Sequence, residues 1–274
     1  MQWHKEKGDK KSIKGDLAMF KWLAPYFDGK YLDDITRDVV DKVLDIKEQD
    51  SSASRANRHA ALIRSVLRKA AREWTHGRVP WLAFAPAIRM RPEPKHRVRW
   101  LTYAQATRLI AELPEHLADA AWFTLQTGLR QSNCAQLKWE QIDIKRKVMW
   151  VYGDQAKAKK AIGVPLNSQA LEILKRRKAS NIQSIAVFEY KGKALSRFNN
   201  HSWSKALLRV GVKNFRWHDL RHTWASWHVQ SGTSLHVLQK LGGWETAIMV
   251  QVYAHMAPEH MALDAERIVK VQDS

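Results

Sequence analysis

Apolar residues recur at helical spacing from Ile13 to Phe27, with Leu17, Phe20, Leu23 and Ala24 on one side. A short acidic helix is expected near Thr36–Lys47, capped by Asp34. Ser51 and Ser52 then lead into a long helix, roughly Ala53–Trp74. Its apolar stripe takes in Leu62, Ile63, Val66, Leu67, Ala70 and Ala71, and Gly77 and Pro80 end it. Residues 1–12 are polar and lysine-rich and are expected to be loose. The first 80 or so residues carry no strand signal.

Residues 84–98 hold Pro86, Pro92 and Pro94 among basic side chains, a composition expected of an extended linker. The domain boundary is placed there, between residues 13–83 and 99–274. Thr102 then caps a new helix, with Gln105 as its capping-box partner. Beyond it, Lys147–Tyr152 and Ala161–Leu166 are β-prone and read as a hairpin around the lysine-loaded loop G-D-Q-A-K-A-K-K. Helices are expected at about Ser168–Ser180, Arg197–Val210, His218–Ser231, Ser234–Leu241 and Glu245–Tyr253, with a last amphipathic segment at Pro258–Val271.

Composition narrows the partner more than the fold. The chain has 274 residues, 45% of them apolar, enough for two ordinary domains. Cys134 is the single cysteine, so no intramolecular disulfide forms, and it reads as a small half-buried residue. With no membrane-length apolar run and no signal core, a cytoplasmic protein is expected, acting at the nucleoid if bacterial. The balance of 46 basic to 27 acidic side chains, +19 net, argues for a polyanionic partner. Residues 28–50 hold eight acidic and four basic side chains, whereas residues 51–96 hold two acidic and ten basic. Arg55, Arg58, Arg64, Arg68, Lys69 and Arg72 lie off the apolar stripe of the long helix, a candidate phosphate-facing surface. Arg89 and Arg91 in the linker, and Lys159 and Lys160 in the hairpin loop, are further candidates for DNA contact.

The densest chemistry runs from His218 to Tyr253: H-D-L-R-H-T-W-A-S-W, then L-G-G-W-E-T, then V-Q-V-Y. Breaking a DNA strand without water needs a nucleophile that conserves the bond energy, and a tyrosine hydroxyl, here Tyr253, serves. The transferring phosphoryl group needs its oxygens neutralised, which a bidentate guanidinium does. Arg221 is one such group, three residues after His218 on the same helical face. Arg130, closing T-G-L-R at the entry to a helix, is a second. The leaving oxygen needs a proton from a lysine or histidine. H-x-x-R-H also invites a metal reading of His218 and His222, but no Cys/His cluster supplies further ligands.

In that order, T-G-L-R-Q-S-N-C-A-Q-L-K-W-E-Q-I-D, the hairpin K-A-K-K-A-I-G-V-P-L, F-R-W-H-D-L-R-H-T-W-A-S-W and L-G-G-W-E-T-A-I-M-V-Q-V-Y-A-H resemble the tyrosine recombinases, or phage integrases, over about residues 100–256. The likeness looks closest to integrases of lambdoid phages. It implies a mainly α fold: a SAM-like helical core-binding domain, plus an α+β catalytic domain with a small antiparallel sheet. It implies that Arg130 and Arg221 clamp the scissile phosphate and that Tyr253 forms a 3′-phosphotyrosine. Lys157 would protonate the leaving 5′-oxygen, with Lys159 and Lys160 close alternatives. His218 would assist proton transfer, and Trp244 would pack against the site as a neutral donor. No metal or other cofactor is implied.

The implied partner is double-stranded DNA with attachment-type sites. It would be gripped in a clamp by a protein that is monomeric when free and tetrameric on DNA, with DNA-bending accessory proteins and no membrane. Pro258–Val271 would dock on a neighbouring protomer, with packing in cis as the alternative. Three features depart from the family pattern. Trp244 stands where most members carry histidine and some carry tryptophan. Asn133 stands where an acidic residue is common, and about a dozen residues precede the core-binding helices, where the resemblance leaves two expectations: a simple recombinase, or one whose arm-binding domain has been lost or removed. A site-indifferent relaxing enzyme of the type IB topoisomerase kind, and a catalytically silent DNA-binding protein, are the competing readings.

Overall fold

The computed structural model describes residues 2–8, 12–94, 98–155, 160–180, 184–195, 198 and 201–256. The chain divides into two compact units, Met1–His96 and Arg97–Ser274. Both are built mainly from helices, with small antiparallel sheets, as the fold class expected.

In the first unit α1 (Gln2–Lys7), α2 (Ile13–Phe27), α3 (Arg37–Asp50) and α4 (Ala53–Arg72) precede a hairpin of β1 (Thr75–His76) and β2 (Val79–Pro80). Helix α4 begins where the Ser52 hydroxyl accepts the Arg55 amide at 3.3 Å, which satisfies one of the first-turn N–H groups that lack helical partners. Ala56, Ala60, Ile63, Leu67 and Ala70 are buried at alternating spacings of four and three, and this stripe packs on Val40, Val43 and Leu44 of α3.

Four local expectations are corrected here. Residues 2–7 are helical rather than loose: Trp3 is buried with its indole donating to Asp16 at 3.1 Å, and Glu6 accepts from the Trp74 indole. The cap of α3 is Thr36, which accepts the Val39 amide, while Asp34 instead closes a 3-10 turn by accepting the Tyr31 amide at 3.0 Å. A hairpin forms in a region without strand signal, because Gly77 at φ 61° turns two-residue strands back on each other. The proline-rich stretch is not a free linker along its whole length. Ile88 is buried in the first core, and the Asn57 side chain grips the Arg91 backbone, donating to its carbonyl at 2.9 Å and accepting its amide at 2.6 Å.

The second unit opens with α5 (Tyr103–Ala111), α6 (Glu115–Thr127) and α7 (Gln131–Ala135). The sheet strands β3 (Ile142–Asp143), β4 (Val148–Val151) and β5 (Ile162–Pro165) follow, then α8 (Ser168–Ser180) and the strand pair β6 (Glu189–Tyr190) and β7 (Lys193–Ala194). The unit closes with α9 (His201–Arg209), α10 (Trp217–Gln230), α11 (Leu235–Gly242) and α12 (Ile248–Gln251). Thr102 and Gln105 form the expected capping box at α5. Strands β4 and β5 pair with Met149 opposite Val164, and β3 extends them to three strands. Helix α6 runs through the core, burying Leu117, Ala120, Ala121, Phe123 and Leu125 against α8 and α10. Cys134 is fully buried, not half-buried. The helix expected over Glu245–Tyr253 shrinks to the four residues of α12. Segment Pro258–Val271 lies outside the described residues. No described helix is long and apolar enough to cross a membrane.

Candidate active site

Three chain reversals converge on one point of the second unit. Gly128 ends α6 in the left-handed conformation, at φ 64°, and Arg130 then occupies the N-cap position of α7. Arg216 precedes α10, and Asp219 locks that start by accepting the Arg216 amide at 2.7 Å. Gly243 ends α11, again left-handed at φ 60°, and throws Trp244 back over the helix.

Arg221 lies at the centre. It is 5% exposed, and its two terminal nitrogens donate to the Gly128 and Gly242 carbonyls at 2.6 Å each. Both carbonyls belong to glycines that have no room for a side chain. A Cβ on Gly128 would sit 2.3 Å from the Trp224 ring, and one on Gly242 1.9 Å from the Trp244 ring. The Trp244 indole covers the guanidinium at 4.1 Å from its ring centre, a cation–π contact. Trp224 stacks beneath Trp244 at 5.9 Å. The sequence reading of Trp244 as a neutral support omitted this contact, because it needs the tertiary fold.

The electrostatics favour an anion. Burial, then the neighbouring charge of Arg130, push the Arg221 pKa down to about 9, and Tyr253 opposes them. It remains a cation at neutral pH. Arg130, half-buried, is lowered by burial. Among the described residues neither guanidinium meets a carboxylate. Two adjacent cations without a counter-charge are repulsive until a group such as phosphate bridges them.

His218 and His222 lie one turn apart on α10, ring centres 5.2 Å apart and edge to face. The His218 side chain reaches solvent, yet the protein packed around it partly desolvates the ring, and this first and Arg221 second lower its pKa. His222 is drawn down to about 4, by burial first and then by His218. Its Nδ1 lies 2.6 Å from the Tyr253 hydroxyl. Tyr253 is only 1% exposed, and burial pushes its pKa up to about 12, with Arg221 pulling the other way. Arg130, His218, Arg221, Trp244 and Tyr253 thus come together in a single chain. Residue Lys157 lies outside the described residues.

His222 entered the sequence reading only as a metal partner of His218. Its contact with Tyr253 spans 31 positions, and no local pattern announces it. The carbonyls of Gly128 and Gly242 were missed for the same reason, although glycines at helix ends signal where a backbone comes close.

The DNA-contact candidates of the first unit divide in two. Arg55, Arg58, Arg68, Arg72 and Arg89 are exposed. Arg64, Arg68 and Arg72 line a cleft of about 640 Å³ against Phe84 and Ile88. Three of the expected DNA-contact candidates already have partners within the unit. Arg64 donates to the Ile88 carbonyl at 2.5 Å, Lys69 pairs with Glu6 and Glu73, and Arg91 pairs with Asp41, Asp45 and Glu48. Lys160 is exposed in the second unit, and Lys159 lies outside the described residues.

The family model described as the phage integrase family matches residues 99–260. The chain belongs to the phage integrase family. Integrase of Salmonella phage P22 is 36% identical over 98% of this chain and 78% of its own length. The tyrosine recombinase XerC of Xanthomonas campestris is 26% identical over 68% of the chain and 60% of its own length. The fold is shared with the integrase of transposon Tn1549 in complex with transposon right end DNA, at TM-score 0.78 and 16% identity, covering 98% of this chain and 97% of that one. It is shared too with a lambda integrase dimer bound to a core site, at TM-score 0.69 and 19% identity, covering 89% and 71%. The enzyme is a site-specific recombinase of the tyrosine class.

Proposed function

We infer that this recombinase integrates and excises phage DNA at attachment-type sites, with Tyr253 as its nucleophile. The observation that carries the reading is Arg221, a buried cation that meets no carboxylate among the described residues, seated under Trp244 beside Arg130 and Tyr253. Such an arrangement suits a group that is anionic and tetrahedral. Arg130 and Arg221 hold the non-bridging oxygens of the scissile phosphate. The Tyr253 oxygen bonds to phosphorus as the bond to the 5′-oxygen breaks, leaving a 3′-phosphotyrosine. Lys157 delivers the proton to that oxygen, with Lys159 or Lys160 as alternatives. His218 assists the transfer of the phenolic proton away from Tyr253 as the oxygen bonds to phosphorus, and Trp244 supports the guanidinium. A 5′-hydroxyl of the partner strand then attacks the phosphotyrosine and frees the phenol.

The exposed arginines of α4 supply binding to the duplex backbone. Assembly as a homotetramer on DNA from free monomers, accessory bending proteins, and docking of Pro258–Val271 on a neighbour complete the reading. A nicked suicide substrate carrying the attachment sequence tests it. The wild-type chain should accumulate a covalent adduct, and Tyr253→Phe should bind the same DNA and form none. Wild-type adduct levels in the phenylalanine variant would reject Tyr253. Equal relaxation of any supercoiled plasmid would instead favour the topoisomerase reading.

A further inference from the structure

The contact between His222 and Tyr253 belongs to neither the phosphate clamp nor the proton donor of the leaving group. His222 is on α10, one residue beyond Arg221, and Tyr253 follows α12. Their polar atoms meet at 2.6 Å, inside a cluster that buries Trp224, Leu238, Val250 and Tyr253 and packs Trp244 against them. We propose that His222 is a positioning residue that holds the Tyr253 hydroxyl in a buried, protonated resting place, and that this hydrogen bond must open before the oxygen can reach phosphorus. The proposal rests on the reading of Tyr253 as nucleophile.

Geometry gives the first argument. In-line attack brings the oxygen within about 3–3.5 Å of phosphorus with nothing between. A side chain 1% exposed, with its hydroxyl against an imidazole, offers no open path to a phosphate arriving from solvent. Proton affinity gives the second argument, and it separates holding from catalysis. The two groups sit at about 4 and about 12 in this arrangement, so the proton stays on the phenol. A neutral ring with its proton on Nε2 presents Nδ1 as the acceptor, and the hydroxyl donates to it. His222 is therefore not the base for Tyr253 while this bond persists.

The tyrosine's own segment is also lightly anchored. Helix α12 has four residues, and its N-cap, Ala247, has no side chain able to cap it. Ile248 is 73% exposed, and Met249 and Val252 are exposed as well. Among the described residues, Val250 and Tyr253 are the buried side chains of this segment, with Met256 packed partly on the same cluster, so the His222 hydrogen bond is one of a small set of contacts that hold it. Opening that bond leaves the two carbonyl contacts of Arg221 in place, since Gly128 and Gly242 lie on other segments, while Trp244 adjoins both Arg221 and Tyr253.

The test uses the full chain with three substitutions. His222→Phe and His222→Ala remove the acceptor, and the phenylalanine keeps ring volume. His222→Asn keeps an oxygen acceptor near the position of Nδ1. The first readout is nitration of Tyr253 by tetranitromethane without DNA, followed on its peptide by mass spectrometry. Wild type and His222→Asn should be protected. His222→Phe and His222→Ala should react at least about tenfold faster while retaining the wild-type circular dichroism spectrum. The second readout is single-turnover adduct formation on the suicide substrate. Loss of the acceptor should speed it by roughly three- to tenfold, the range one net hydrogen bond commands, with His222→Asn back at the wild-type rate. Nitration no faster than wild type in the acceptor-free variants overturns the proposal. So does slower adduct formation in them, which would make His222 a base instead. The expected nitration pattern with no adduct from any variant or from wild type on cognate DNA would reject the nucleophile reading on which the proposal stands, a failure distinct from the other two.

Discussion

At the scale of single residues, Arg221 is set by two backbone carbonyls and one indole face rather than by a carboxylate. A fork is required to reach Gly128 and Gly242 at once, and an ammonium is not a fork. Arg221→Lys should slow adduct formation by about 10²–10³-fold, the range for loss of one preorganised transition-state donor. It should also lower stability by ~1–3 kcal/mol through the carbonyl left without a donor. Wild-type kinetics in that variant, by single-turnover cleavage, would deny the clamp. His222 sets a pH dependence at the same scale. Its folded pKa, about 4, lies below the ordinary 6.5. The stability it contributes is therefore complete above its unfolded value and drains away as pH falls from there toward its folded one. At about 1.36 kcal/mol per unit, discounted for partial exposure, the loss is roughly 2–3 kcal/mol. Urea midpoints of wild type and His222→Asn at about pH 7 and about pH 4.5 isolate it from other histidines; the asparagine variant should lose less stability between the two.

At the scale of elements, left-handed Gly128 after α6, and Gly242 at the end of α11 ahead of left-handed Gly243, turn their backbone oxygens into the site. Gly128→Ala forces a Cβ to within 2.3 Å of the Trp224 ring in a conformation that alanine avoids. Left-handed backbone alone costs about 1–2 kcal/mol, and displacement of a buried indole adds to it. The melting temperature should fall by about 5 °C or more, and cleavage should weaken because the carbonyl facing Arg221 moves. A variant melting like wild type would show that Trp224 yields freely. These elements also show how legibility depends on what sets each one. Helix α4 was readable because an apolar stripe and a serine cap are encoded within twenty positions of one another. Helix α1 was not, since six residues carry too little periodicity and its order comes from Trp3 and Glu6 meeting Asp16, Lys69 and Trp74. The clamp residues stood out through residue type and motif spacing. The histidine on the tyrosine did not, because only the return of the chain after α11 brings the two together.

At the scale of the whole molecule, the net charge of +19 matters less than where it is left unmatched. The acidic stretch on α3 is not simply opposed to the basic one. Asp41, Asp45 and Glu48 converge on Arg91, while Glu6 and Glu73 converge on Lys69. Those two cations are neutralised inside the unit and would have to break ion pairs to bind phosphate. Arg55, Arg58, Arg68 and Arg72 are exposed and have no such partners among the described residues. Each cation that meets a duplex phosphate releases counter-ions worth about 0.9 in the slope of log affinity against log salt. Replacing these four arginines by alanine should make that slope shallower by about 3–4 and weaken binding on specific and unrelated duplexes alike. Lys69→Ala or Arg91→Ala should change the slope by less than about 0.5 and lower the unfolding midpoint of the first unit instead. Fluorescence anisotropy across a salt series reads the slope, and denaturant unfolding reads the midpoint. Slopes falling equally for the paired and unpaired cations would show that DNA draws Lys69 and Arg91 out of their carboxylate nests, making the pairing a feature of the free chain alone.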